Sequence, residues 1–185
     1  MRSMERIDKM RLYRQKILDF VLKNFNYFNY YIILDSDISG SIFLDGFFSS
    51  FDTDNWDAVF AQGITTLPFT TKFIIYDGYA FIGKDQEFNY KNNDLDELVN
   101  QNKYLNNNII DSDWIQCKSG YNGMCIFKID SILSCSYYNN QQFKCEHIDL
   151  FYSMHLNNKT KIYFNPSLII FAGHQGKKRI ESITK

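Results

Sequence analysis

The chain has 185 residues, a length typical of one domain that buries a proper hydrophobic core. Apolar residues make up 45% of the sequence and aromatic residues 17%, which excludes an intrinsically disordered chain. The formal net charge of −1 argues against a dedicated nucleic-acid-binding protein and against a protein of the membrane surface.

The cysteines and the start of the chain indicate a soluble cytoplasmic protein. The four cysteines, Cys117, Cys125, Cys135 and Cys145, are spaced too widely for a C-x-x-C metal site. With no secretory leader, we expect free thiols in a reducing compartment. The charged start MRSMERIDKMR is not a signal peptide, and no run of about eighteen apolar residues predicts a transmembrane segment.

The first segment, Met1 to Phe25, predicts an amphipathic helix because apolar residues recur at three- to four-residue spacing. Arg11 and Arg14 are three residues apart and share a face of this helix. A solvated helix face is the ordinary role of such arginines. Because the helix leads directly into the next strand, both are also candidates for contact with a ligand.

The stretch from Tyr30 to Gly46, YYIILDSDISGSIFLDG, carries the strongest functional signal. Its first five residues are rich in strand formers and predict a short buried strand. Asp35 and Asp37 follow, and side chains two residues apart leave a strand on the same side. Two neighbouring carboxylates repel each other unless a cation lies between them, and Mg²⁺ or Mn²⁺ suits their oxygen ligands.

Several kinds of site begin with this pattern, and a plain Asx-type turn at the strand end is the ordinary alternative. A calcium loop is excluded, because its twelfth position requires a bidentate glutamate and is Gly46 here. A phosphatase of the haloacid-dehalogenase type fits Asp35, Asp37 and Ser39, but no later paired-aspartate or G-D-x-x-x-D stretch completes its magnesium site. In nucleotide-sugar glycosyltransferases, a D-x-D pair holds a divalent ion on the donor diphosphate.

The rest of the chain predicts an α/β fold in one domain, residues 1–185. The predicted elements are a short helix or loop at Ser41 to Phe51, strands at Trp56 to Ala61, Lys72 to Asp77, Lys161 to Phe164 and Leu168 to Phe171, and a turn at Asn165-Pro166. Residues 83–116 are crowded with Asn, Asp and Lys, which is typical of a mobile polar insertion or lid.

Three later groups are candidate site residues, and each also has an ordinary structural role. Gly120 and Gly123 precede an apolar strand and permit a turn with a close backbone approach to a ligand. Glu146 and Asp149 lie on one side of a helix predicted around Phe143 to Phe151, in its first turn, where the helix dipole favours acidic residues. His174 follows a glycine in an exposed segment near the end of the chain.

The order of these features resembles a GT-A-fold glycosyltransferase, and is most similar to the group that contains cryptococcal capsule mannosyltransferases and related large-DNA-virus enzymes. The resemblance spans roughly residues 5 to 172 and depends on the motifs R-x-x-x-M-R-x-x-R, I-I-L-D-S-D-I-S-G, N-W-D-A-V-F-A-Q-G, Y-D-G-Y-A-F, Y-N-G-M-C-I-F-K, C-E-H-I-D-L and F-N-P-S-L. It implies a GT-A-like (Rossmann-like) mixed central sheet flanked by helices.

The resemblance also implies a donor site for a UDP- or GDP-sugar. Mn²⁺ or Mg²⁺ is expected on Asp35, Asp37 and His174. The residues expected along the donor and its sugar pocket are Arg11, Arg14, Asp35, Gly120 and Gly123.

The acceptor expected from the resemblance is a hydroxyl group of a glycan or glycoprotein. Glu146 matches the acceptor-facing carboxylate, which acts as a base if the reaction inverts the anomeric centre. The family has an acid pair there, whereas the second position in this chain is His147, so the base is either Glu146 or Asp149.

Members of this family carry further strands before the helix that precedes the D-x-D, and this chain begins just before that helix. The resemblance therefore implies an N-terminally truncated domain, and three interpretations of it stay open: a fragment, part of a split or truncated protein that associates with a chain supplying the missing strands, or a domain that has lost donor binding. A second hypothesis is a non-catalytic glycosyltransferase-like domain that binds a glycan or a partner chain through the exposed face.

Overall fold

The computed structural model describes residues 4–36, 38, 41–66, 73–76, 78–88, 113–141, 143 and 145–172. Within these ranges the protein is a mixed α/β fold. Its helices are α1 (Met4–Lys23), α2 (Leu44–Ser49), α3 (Ile129–Ile132) and α4 (Glu146–Leu156). Its strands are β1 (Tyr30–Leu34), β2 (Ala58–Thr66), β3 (Phe73–Ile75), β4 (Ile82–Gly83), β5 (Ile115–Ser119), β6 (Met124–Lys128) and β7 (Ile162–Phe171).

The described strands form one mixed sheet in the order β1-β6-β2-β7-β5-β4, and β3 pairs with the last residues of β2. The β2–β7 pair is parallel, and the other described pairs are antiparallel. None of the described helices combines the length and the apolar character needed to cross a membrane.

Two hydrophobic clusters cover the two faces of the sheet, because successive side chains of a strand point to opposite faces. On β2, Phe60 belongs to the larger cluster, which includes residues of α1 and α4. Its neighbour Val59 belongs to the smaller cluster, against which Phe47 of α2 packs. The helices α1 and α4 therefore share one face, and the first turn of α4 faces the inner side of α1.

Most of the predicted elements are confirmed in the described residues. The helix predicted over Met1 to Phe25 appears as α1, and the segment Ser41 to Phe51 contains α2, which contacts β7. The strand predicted at Trp56 to Ala61 begins two residues later and continues to Thr66. The prediction that Lys72 to Asp77 forms a strand is confirmed for Phe73–Ile75.

The prediction that Tyr30 to Leu34 is a buried strand is wrong in part. Tyr31 and Ile33 are buried, whereas Tyr30, Ile32 and Leu34 are exposed. The strand pairs with β6 on one side, and none of the other described strands pairs with its second side. An edge position covered by helix α1 on one face explains why only every second residue is buried.

Two other predictions differ from the observed strands. The Asn165-Pro166 turn is absent, because β7 continues through it with an irregular register opposite Ala61 and Gln62. Proline lacks the N–H that a regular strand ladder needs, so an irregularity replaces the turn. The polar insertion predicted at 83–116 ends in strand β5, and its residues 89–112 lie outside the described part of the chain.

Candidate functional site

The candidate site is organised around Asp35, directly after β1. The Asp35 backbone N–H donates to the Gly123 carbonyl at 2.9 Å, which continues the β1–β6 ladder to the tight turn before β6. That turn requires positive φ at Asn122 (52°) and at Gly123 (90°). The turn therefore fixes the position of Asp35 at the end of the strand pair.

Three side chains contact the Asp35 carboxylate. The Tyr121 hydroxyl donates to Oδ1 at 2.8 Å, and Arg14 Nη2 donates to the same oxygen at 3.3 Å. The Tyr76 hydroxyl donates to Oδ2 at 3.4 Å, a longer and weaker contact. The Asp35 side chain keeps 21% of its surface exposed, so it is partly open to solvent.

Arg14 joins Asp35 to Glu146, two residues that lie far apart in the sequence. Its Nε donates to Glu146 Oε1 at 3.2 Å, and its guanidinium lies 5.3 Å from the centre of the Tyr121 ring. Burial lowers the Arg14 pKa, but the surrounding phenols and carboxylates raise it more, so the net pKa lies above its ordinary value. Arg14 is therefore a permanent positive charge between two carboxylates.

Glu146 and His147 begin α4, and both side chains are almost completely buried. His147 Nε2 lies 3.8 Å from Glu146 Oε1. The His147 ring stacks on Tyr121 with 3.6 Å between ring centres and 18° between planes. His147, at the position where the resemblance predicts a second acid, thus supports the Tyr121 ring from one side.

Arg11 and Asp149 form a second, separate pair deeper in the protein. Arg11 Nε and Nη2 donate to Asp149 Oδ2 at 2.9 and 2.7 Å, and Nη2 also donates to the Phe143 carbonyl at 2.8 Å. The other Asp149 oxygen accepts from Asn139 Nδ2 and from the Phe143 backbone N–H. Both Asp149 oxygens are thus engaged by described partners deep in the protein, so Asp149 has a structural role in this arrangement.

Both predicted pocket glycines allow close packing of the strands around the site. A Cβ atom on Gly120 would lie 2.2 Å from the Phe60 ring, and one on Gly123 would lie 3.1 Å from the Tyr76 ring. Gly120 therefore makes room for the core, and Gly123 makes room for a side chain that contacts Asp35. Their contact with a sugar donor stays a prediction.

Two of the three predicted metal ligands, Asp37 and His174, lie outside the described residues. In the part of the chain that the structure describes, no three side chains of His, Cys, Asp or Glu converge as metal ligands. Asp35 itself suits a hard divalent cation, because among the described residues its Oδ2 accepts only the long hydrogen bond from Tyr76. Asp35 therefore fits such an ion as one ligand, through Oδ2.

The structure adds two residues that the sequence did not single out, Tyr76 and Tyr121, and it gives His147, noted in the sequence only as the replacement of an expected acid, a stacking contact with Tyr121. Tyr121 directly precedes the Asn122-Gly123 turn, so the motif Y-N-G was the feature of the sequence that could have indicated it as a site residue. Tyr76 follows β3, and its contact with Asp35 depends on the pairing of β3 with β2. No sequence spacing gives that contact.

The comparisons with known proteins give a distant structural resemblance. No model of a protein family and no curated protein matches this chain. Among solved structures, the chain is similar to one titled "Crystal Structure of A197 from STIV", with a TM-score of 0.47 and 17% sequence identity. The alignment covers 90% of this chain and 68% of that one. No functional argument rests on a resemblance at this level.

Proposed function

We propose that the protein is a metal-dependent glycosyltransferase, or the catalytic portion of one, that transfers a sugar from a nucleotide-sugar donor to a hydroxyl group of a glycan or glycoprotein. The observation that carries the proposal is the Arg14 bridge between Asp35 and Glu146. It joins the first aspartate of a D-x-D to a carboxylate at the start of a distant helix. A buried cluster of opposite charges with two phenols is typical of a functional site.

Three described residues, Asp35, Arg14 and Glu146, have roles in this proposal. Asp35 would hold a Mn²⁺ or Mg²⁺ ion through one oxygen, with Asp37 as a second expected ligand, and the ion would supply positive charge that stabilises the departing nucleoside diphosphate. Arg14 offers a fixed positive charge with two separate N–H directions, which suits the phosphates of a UDP- or GDP-sugar. Glu146 accepts the proton of the acceptor hydroxyl if the reaction inverts the anomeric centre.

The proposed roles require a rearrangement of Arg14. The Glu146 side chain is 4% exposed and its Oε1 accepts a hydrogen bond from Arg14, so it does not reach an acceptor in this arrangement. Contact between Arg14 and a donor phosphate would release Glu146. In the proposal, donor binding therefore precedes exposure of the base.

Calorimetric titration of the protein with UDP- and GDP-sugars, with and without Mn²⁺, tests this function. We expect binding that depends on Mn²⁺, is abolished in Asp37→Ala and is weakened in Asp35→Asn. Asp45→Asn, in an exposed carboxylate of α2, is the matched control and should bind like the wild type. No binding of any sugar nucleotide by the wild type would contradict the proposal, and hydrolysis of a phosphomonoester without such binding would favour a phosphatase.

A second candidate is a non-catalytic glycosyltransferase-like domain that binds a glycan or a partner chain. The observation in its favour is the apolar outer surface of α1, where Tyr13, Ile17 and Phe20 are 55%, 53% and 64% exposed. Exposed apolar side chains at helical spacing are typical of a surface that another protein covers. Glycan binding that needs neither Mn²⁺ nor a sugar nucleotide would favour this candidate.

A further inference from the structure

We propose that Tyr121 is a positioning residue of this site, which holds Asp35 Oδ1 and thereby presents Oδ2 as the oxygen that receives a divalent cation. The inference rests on the proposed function. It goes further by assigning different tasks to the two oxygens of one carboxylate. Tyr121 does not touch the ligand in this scheme and acts only through Asp35.

The first step of the argument is the direction of the hydrogen bond. A phenol carries a hydrogen and an ionised carboxylate only accepts, so the Tyr121 hydroxyl donates to Oδ1 at 2.8 Å. This distance is the normal length of an O–H···O hydrogen bond to a carboxylate.

The second step is a count of lone pairs on the carboxylate. Each carboxylate oxygen accepts about two hydrogen bonds, and Oδ1 already accepts from Tyr121 and from Arg14 Nη2. Oδ2 accepts from Tyr76 at 3.4 Å, and the Asp35 side chain is partly exposed. Among the described residues, Oδ1 is therefore the oxygen with two donors and Oδ2 the oxygen with one distant donor, so Oδ2 is the one that a cation would reach.

The third step is the rigidity of Tyr121 itself. Its side chain is 0% exposed, and its ring stacks on the His147 ring with 3.6 Å between ring centres. The Arg14 guanidinium lies 5.3 Å from the centre of the Tyr121 ring. The backbone turn at Asn122 and Gly123 directly follows it. A residue held on so many sides restricts the rotation of the carboxylate that it contacts, as outer residues around metal ligands do.

The test compares three substitutions that each remove one hydroxyl and keep the ring. Tyr121→Phe removes the donor to Oδ1, and Tyr76→Phe removes the weaker donor to Oδ2. Tyr137→Phe is the control, because the Tyr137 hydroxyl is buried and has no hydrogen-bond partner in the described structure. Mn²⁺ affinity is measured by electron paramagnetic resonance on the full chain with a UDP- or GDP-sugar present, and thermal unfolding is followed in parallel.

We expect Tyr121→Phe to weaken Mn²⁺ binding about tenfold, within the range for residues that orient a metal ligand, and to melt below Tyr137→Phe by the loss of one hydrogen bond while remaining folded at the temperature of the binding assay. Tyr76→Phe should have a smaller effect, and Tyr137→Phe none. Equal Mn²⁺ affinity in the wild type and Tyr121→Phe would overturn the inference and leave the proposed function standing. Absence of Mn²⁺ binding in the wild type would overturn both.

Discussion

The replacement Arg11→Gln should strongly destabilise the protein. The Arg11 side chain is 4% exposed and the Asp149 side chain 0%, so the substitution leaves a buried carboxylate without its cation. Loss of one partner of a buried ion pair costs about 3–5 kcal/mol. The Phe143 carbonyl also loses the N–H that Arg11 donates to it at 2.8 Å. We therefore expect a loss of about 4 kcal/mol, a large share of the stability of a typical domain.

The loss of unfolding free energy in Arg11→Gln should also depend on pH. Burial raises the Asp149 pKa, and the hydrogen bonds and charge of Arg11 oppose this shift. A carboxyl group with a raised folded-state pKa contributes its full stability below its unfolded pKa, and the contribution is lost as pH rises through the folded pKa. Arg11→Gln removes the opposing interaction and raises this pKa further. The difference in unfolding free energy between wild type and variant should therefore grow between about pH 5 and about pH 8.

Urea unfolding followed by circular dichroism at both pH values measures these quantities. Asp8→Asn is the matched control, because Asp8 pairs with the same guanidinium but its side chain is 62% exposed. An exposed pair contributes about 0–1 kcal/mol, so the control should unfold almost like the wild type. A loss below about 1 kcal/mol for Arg11→Gln, or a loss that shrinks as pH rises, would refute the reasoning.

Three further predictions concern other parts of the molecule. Arg14→Gln should lower the unfolding free energy by about 2 kcal/mol, because two hydrogen bonds of 3.2 and 3.3 Å to carboxylates are lost; Arg14→Lys, which retains the charge, should recover part of this in urea unfolding. Gly46→Ala should destabilise the protein by about 3 kcal/mol in the same assay, because its Cβ would lie 1.7 Å from the Ser167 carbonyl oxygen. Burial raises the Cys135 pKa to about 11, so this thiol should react with Ellman's reagent at pH 8 only after unfolding, and rapid labelling of the native protein would contradict this.

Much of the fold was predictable from local patterns. Apolar periodicity located helix α1, and short runs of strand formers located β1, β2 and β3, because these signals depend on neighbours in sequence. The burial of β1 was not predictable in the same way. The sequence of an apolar strand is similar at the centre and at the edge of a sheet. Only the strand order β1-β6-β2 places β1 at an edge, where Ile32 and Leu34 are exposed.

The sequence predicted which residues belong to the candidate site, but it did not predict which of them form hydrogen bonds and ion pairs with each other. Arg11 and Arg14 share a helix face and a charge, so the sequence treats them alike. In the structure, one is bonded to the buried Asp149 and the other joins Asp35 to Glu146. This difference depends on where α4 packs against α1, a contact between residues more than 130 positions apart.

By itself, the sequence determined that a strand ends at Asp35, that a tight turn precedes β6 and that acidic residues begin α4. Each of these features depends on chain stiffness, hydrophobic periodicity or the helix dipole, which act over a few residues. The tertiary structure alone decided that Tyr121 and Arg14 share one oxygen of Asp35 and that Tyr76 contacts the other. Those contacts exist because strand pairing and helix packing bring distant side chains within hydrogen-bond distance in a partly dehydrated site.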